Sequence, residues 1–175
     1  MPHLVFAVVL IGTVIGCTTP ASTPAPTLPA PPMEITLEKV KAADLPELIA
    51  KHKGKVVAVD VWADFCAPCK KAFPHLVQLH RQHAADGLVC ISLSKDLDDG
   101  YDGALAFLKS QKAHFNNYIV WDSDEALDAL EKKIPHTAIP IFHVFDRDGK
   151  RVKTWEGAIR HDEIDATIGE LLKKK

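Results

Sequence analysis

The stretch Val56–Pro74, VVAVDVWADFCAPCKKAFP, decides how the chain is read. Its first seven residues, Val56 to Trp62, form a short, valine-rich apolar run flanked by charge, the pattern of a buried β-strand. Two cysteines separated by two residues follow, Cys66-Ala67-Pro68-Cys69. Beyond them Phe73, Leu76 and Val77 recur on one helical face, while Lys70, Lys71 and Gln78 fall on another. The cysteine pair therefore stands where a strand passes into the start of a helix. Unpaired N–H groups and the positive end of the helix dipole favour a negative charge there. A thiolate is such a charge, and it is the form of cysteine that attacks disulfides. Two sulfurs one helical turn apart can close on each other with little chain movement. The spacing outlines a redox couple.

Other readings of Cys66 and Cys69 are a structural disulfide, or half of a zinc site. A zinc site wants a second ligand pair, and the chain has no second C-x-x-C. His136, four residues before Pro140, would complete a three-ligand copper or zinc site and make the protein a metal-binding chaperone. A non-catalytic, tethered binding domain with an inert disulfide is the remaining alternative. A peroxidatic cysteine is excluded by the Ala-Asp-Phe before Cys66, where that chemistry expects a Thr three residues upstream.

These residues resemble the active-site strand, turn and helix of the thioredoxin superfamily, in its membrane-tethered TlpA/ResA-like branch of bacterial thiol–disulfide oxidoreductases. The resemblance implies an α/β, three-layer thioredoxin-like fold with a mixed central sheet and a central helix–strand insertion. It makes Cys66 the exposed nucleophile and Cys69 the resolving thiol. Asp60 matches the buried acid beneath the pair, and Pro74 the proline that kinks the first helix. Pro140 matches a proline preceded by a cis bond that lies against the cysteines. Phe65, Ala67, Pro68 and Ile139 then line the substrate groove. Phe65 stands where Trp is usual, and Ile141 where Thr usually follows the proline. Ala72 stands where many ResA-like members carry Glu, which weakens the case for a cytochrome-directed role. No cofactor and no resident metal are implied. The partners implied are protein disulfides or dithiols and a thiol–disulfide electron donor in the membrane, with the protein itself a monomer.

Asp60 also carries its own physical argument. It interrupts an apolar strand, where burial raises a carboxyl pKa and suits it to relay a proton to Cys69. Lys70 is a candidate for lowering a thiol pKa, or an inert surface lysine. Cys90 reads as a small buried apolar group. His75, His80 and His83 share one helix and read as a polar face.

The 175 residues allow one domain plus extras. A net charge of −2 leaves no basic footprint for nucleic acid, and four cysteines are too few for a disulfide-framed mini-protein. Leu4 to Ile15 is an apolar run too short to span a bilayer and of the right length for a signal sequence. It ends in Val14-Ile15-Gly16-Cys17, which resembles a lipobox with Cys17 as the lipidated residue, although Met1-Pro2-His3 carries no basic residue. Residues 1–16 are thus expected to be a lipoprotein-type signal peptide and 17–33 a tether with six prolines, extended and semi-rigid. Residues 34–175 are expected, from the resemblance, to be the thioredoxin-like domain. The expected location is the periplasmic or extracytoplasmic face of a membrane, where thiols tend to be oxidised.

Within that domain the pattern predicts a short strand at Ile35–Leu37 and a helix capped by Asp44 and running to His52. The central strand and kinked helix come next, then a strand from Leu88. A Gly/Asp-rich loop leads to a helix over Ala104–Gln111 and a strand at Tyr118–Trp121, followed by a helix from Asp122 to about Lys133. Ile141–Phe145 and Val152–Trp155 form a hairpin across Asp146–Gly149, and the last helix is capped by Asp162. Crossover helices require parallel strands and the hairpin an antiparallel pair, so the sheet is mixed. A direction of exchange is also expected: the neutral Ala67-Pro68 pair and the likeness to reducing members favour a reductase.

Overall fold

A computed structural model describes residues 34–96, 99–121 and 139–174. These belong to one compact unit, Pro32–Lys175. The expected helix from Asp122, along with His136, Cys17, the signal segment and the tether, lies outside the described residues. No helix among the described residues is long and apolar enough to cross a membrane.

Six strands form one sheet: β1 (Glu38–Val40), β2 (Val56–Trp62), β3 (Leu88–Ser94), β4 (Asn116–Val120), β5 (Ile141–Phe145) and β6 (Arg151–Glu156). Their spatial order is β1-β4-β3-β2-β5-β6. The first four strands in that order run parallel, β5 lies antiparallel beside β2, and β6 lies antiparallel to β5 at the sheet edge. The fold is thus an α/β thioredoxin-like one with a mixed sheet. The helices are α1 (Leu45–Ala50), α2 (Ala67–Ala72), α3 (Pro74–His83), α4 (Tyr101–Gln111) and α5 (His161–Lys173). The α4–β4 unit carries the chain from β3 to a strand lying between β3 and β1.

β2 is buried at every residue, and its alternation feeds two cores. Val57, Val59 and Val61 pack with Leu45, Ile49, Ile91, Tyr118 and Phe145 on one face. Val56, Ala58 and Trp62 pack with Phe73, Leu76, Leu108, Ile164 and Ile168 on the other, the cluster that also holds Cys66 and Cys69. Asp60, of the same parity as Ala58 and Trp62, belongs to this second face.

The helix after the cysteines breaks at Phe73, between α2 and α3. Pro74 has no N–H to donate to the carbonyl one turn back, whereas the Phe73 N–H still reaches the Cys69 carbonyl at 2.9 Å. The hairpin turn closes as its residues predict. The Asp146 carboxylate accepts the N–H groups of Asp148 and Lys150 at 3.0 and 2.9 Å, and Gly149 takes φ +78°. Arg147, at the tip, donates to the carbonyls of Lys174 and Leu172 at the end of α5 and to Gly54.

Three local expectations are corrected. Glu38–Val40, rather than Ile35–Leu37, pairs with β4; Leu37 is instead buried in the core. Asp44 stands at the N-cap of α1 but makes no side-chain capping bond, because a 3₁₀ turn (Ala42–Asp44) keeps it in helical geometry. The last helix starts at His161, so Asp162 lies inside its first turn as a dipole partner rather than a cap. The polar face that carries His75 and His80 is packed against neighbouring groups. The His75 ring stacks on His161 at 4.0 Å and bonds Asp165 at 2.7 Å, and His80 packs on Phe115.

Candidate active site

Cys66 and Cys69 are joined in a disulfide, with Cα atoms 5.3 Å apart. The helix that carries them explains their unequal surroundings. Cys66 is the N-cap of α2, in extended geometry (φ −90°, ψ 96°), and its sulfur accepts the Cys69 N–H at 3.2 Å. This is an orphan donor of the first helical turn, and in the reduced protein it would stabilise a Cys66 thiolate. Cys69, one turn in, faces the core and is 1 % exposed. Cys66 is the more accessible of the two, yet only 7 % exposed. Its expected exposure is corrected in degree, because the far side of the sulfur is covered. Ala67 and Pro68 between the cysteines are exposed.

That covering group is the segment before β5. The Ile139–Pro140 peptide is cis, and the Ile139 carbonyl oxygen lies 3.7 Å from the Cys66 sulfur. An oxidised sulfur carries no proton, so this contact becomes a hydrogen bond only once Cys66 is a thiol. Pro140 is buried beside the strand start, its carbonyl held by the Gly157 N–H at 2.9 Å. Phe65, next to Cys66, is 78 % exposed, an apolar ring left outside the core at the rim of the disulfide.

Asp60 is 3 % exposed, and burial pushes its carboxyl up to about 7 from an ordinary 3.8. Its cross-strand neighbours are Ser92 on β3 and Phe142 on β5. Cys90, paired with Ala58 and 1 % exposed, belongs to the same core cluster as the disulfide. Burial, followed by the charge of Asp60, pushes the Cys90 thiol far up, which keeps it protonated and inert. A carboxyl poised near neutrality on the sheet face that packs with the cysteines can take up and return a proton at physiological pH.

A second set of polar groups around the turn has no sequence signal local to the cysteines. The Asp64 N–H, two residues before Cys66, points at both carboxylate oxygens of Asp96, each at 2.8 Å. Asp96 is 8 % exposed and also accepts the Ser94 hydroxyl at 2.6 Å. The Asp64 carboxylate accepts from the Lys70 ammonium at 2.8 Å, and that ammonium lies 5.3 Å from the centre of the Phe107 ring on α4. Lys70 is thus a paired cation. Only the return of the chain after β3 brings Asp96 here, 32 residues on from Asp64.

A family model described as Thioredoxin-like matches residues 54–151, more than half of the chain. The chain belongs to the thioredoxin-like family. Among its thioredoxin-like relatives is the thiol-disulfide oxidoreductase ResA of Bacillus subtilis (strain 168). The two are 26 % identical over 113 residues, 64 % of this chain and 59 % of that protein. ResA of Bacillus anthracis is 24 % identical over 145 residues, 81 % of this chain and 76 % of its own. With several of these curated relatives the match spans less than two thirds of their length. Solved thioredoxin-like structures agree in fold. A thiol:disulfide interchange protein from Chlorobium tepidum TLS superposes with a TM-score of 0.60 at 22 % identity, covering 70 % of this chain and 83 % of that one. A secreted Mycobacterium tuberculosis disulfide oxidoreductase does so with a TM-score of 0.55 at 19 % identity, over 70 % and 86 % of the two chains.

Proposed function

We propose that this protein is a thiol–disulfide oxidoreductase that works through the Cys66/Cys69 couple. The reading rests on one observation: two cysteines, disulfide-bonded across the first turn of α2, with one sulfur at the helix N-cap and the other sealed in the core. In the reducing direction the Cys66 thiolate attacks one sulfur of a substrate disulfide and expels the other as a thiolate. The Cys69 thiol gives its proton to Asp60, and the Cys69 sulfur attacks Cys66. That closes the internal disulfide and releases the second substrate sulfur. Two electrons pass to the substrate, and the protein is left in the oxidised state seen here. Reversed, the same steps oxidise a dithiol.

The net direction in the cell is proposed to be reduction, of proteins outside the cytoplasm. The apolar Leu4–Ile15 run, the Cys17 lipobox-like ending and the proline-rich tether support a lipid-anchored, outward-facing location. An oxidising compartment then calls for a membrane thiol–disulfide donor to regenerate the dithiol. Reduction of insulin by dithiothreitol in the presence of the protein tests the activity. A Cys69→Ser variant should accumulate mixed disulfides on Cys66 that mass spectrometry identifies. Failure of both to report exchange would leave a closed, inert disulfide. Loss of fatty-acid labelling in Cys17→Ser tests the anchor separately.

A further inference from the structure

The charges beside Cys66 are arranged in a way that the disulfide chemistry alone does not require. Asp64 lies two residues before Cys66 and Lys70 four residues after it, so their 2.8 Å ion pair links the chain on either side of the nucleophile. The pair is held from below. Asp96 takes the Asp64 N–H on both carboxylate oxygens, and the preceding Lys95 N–H bonds the Trp62 carbonyl at 2.9 Å. The end of β2 is thus tied twice to the segment after β3. Asp96 is itself fixed through Ser94, whose hydroxyl donates to it and whose oxygen accepts the Asp96 N–H at 3.1 Å. Room for both carboxylates comes from glycines near the start of α4. A Cβ on Gly103 would meet the Asp64 carboxylate at 2.7 Å, and one on Gly100 would collide with Asp96.

We propose that Asp64 and Lys70 are paired positioning residues whose opposite charges offset each other near Cys66, with Asp96 as the buried clamp that presents Asp64 to Lys70. The helix N-terminus, and not the lysine, then sets the acidity of the nucleophilic thiol. The proposal deepens the oxidoreductase reading and rests on Cys66 being the attacking cysteine. The other ionisable groups on the elements nearby are Cys69, bonded to Cys66, Asp60 on β2, Cys90 on β3 and Asp96 just after it. The α4 side presents the Phe107 ring to Lys70, with Asp102 and Lys109 exposed to solvent. Both members of the pair are about one-third exposed, so each unpaired charge acts through partly screened water.

The experiment is the pH dependence of iodoacetamide alkylation of the reduced protein, with the modified cysteine located by mass spectrometry. Asp64→Asn leaves the lysine unopposed and should lower the Cys66 pKa by about half a unit. Lys70→Met leaves the carboxylate unopposed and should raise it by a similar amount. The double variant should return to within about 0.2 units of the parent, and both single shifts should shrink in high salt. In an Asp96→Asn background, or in Ser94→Ala if that variant does not fold, the Asp64→Asn shift should fall by half or more. A shift with Lys70→Met but none with Asp64→Asn would mean a free thiolate-stabilising lysine and overturns the proposal. Two null shifts, or a clamp variant that changes nothing, overturn it as well. Alkylation at Cys69 in place of Cys66 would instead sink the assignment of the nucleophile on which it stands.

Discussion

The two faces of β2 have the same backbone and the same near-total burial, and they serve opposite ends. Val57, Val59 and Val61 bring no ionisable group to their layer, where buried His143 comes instead from β5, opposite Val59 and bonded to Thr154. Val56, Ala58, Asp60 and Trp62 point toward the cysteines, and one of the four is a carboxyl driven up to about 7. The first face follows the rule that strands buried on both sides are hydrophobic. The second breaks it once, on the face whose core cluster holds the disulfide. What the difference teaches is that one strand can stabilise the domain through one face while carrying on the other a destabilising group whose raised pKa suits proton transfer.

Removing the chemistry outright separates the faces most sharply. Cys66→Ser should reduce insulin turnover to the uncatalysed background while thermal unfolding still shows a folded domain. A residual turnover above that background would shift the nucleophile to another thiol.

Asp60→Asn should act in two opposite ways. Release of a trapped mixed disulfide, followed by stopped flow, should slow by about 100-fold for loss of a positioned proton acceptor. Stability should rise, but only at the right pH. The folded carboxyl holds its proton up to about 7, whereas an ordinary one loses it near 3.8. Its cost to folding is therefore absent below about 4, grows as pH rises through that interval and is complete above 7. At about 1.4 kcal/mol per unit the full cost is on the order of 4 kcal/mol, an upper limit on what the asparagine recovers. Denaturant melts at pH 8 should show the gain, and melts at pH 4 should not.

On the opposite face, Val59→Ala should cost about 2 kcal/mol in the same melts, through lost burial and the cavity left behind. Exchange per folded molecule should be unchanged, and a change in it would show that the two faces are coupled. Phe65→Ala gives the smallest stability effect, within about 0.5 kcal/mol, since the ring is exposed. Its effect should appear as a raised KM for protein substrates with little change toward a small disulfide.

Much of this was legible before any coordinates. Val56–Trp62, the break at Pro74 and the Asp146–Gly149 turn are each governed by neighbours a few residues away, through strand patterning, a missing N–H and a side-chain-stabilised turn. The helix starts were less legible. Asp44 and Asp162 look like caps in sequence, but a cap depends on the backbone angles of one residue, which tertiary packing sets. Lys70 shows the same limit at the site. Its partner Asp64 is close in sequence, but its ring contact Phe107 and the clamp Asp96 come from α4 and from the residues after β3, both distant along the chain.

By itself the sequence determined the couple: two cysteines at a strand-to-helix junction, an acid six residues earlier and a proline to kink the helix, all local in the chain and thus readable from spacing. The tertiary structure decided what surrounds that couple. It set how far Cys66 is covered by the Ile139 carbonyl, how strongly burial raises Asp60, and which carboxylate neutralises Lys70. Those properties are sums over groups brought together by long-range strand pairing, and spacing along the chain carries no information about distances between segments that only the folded sheet places side by side.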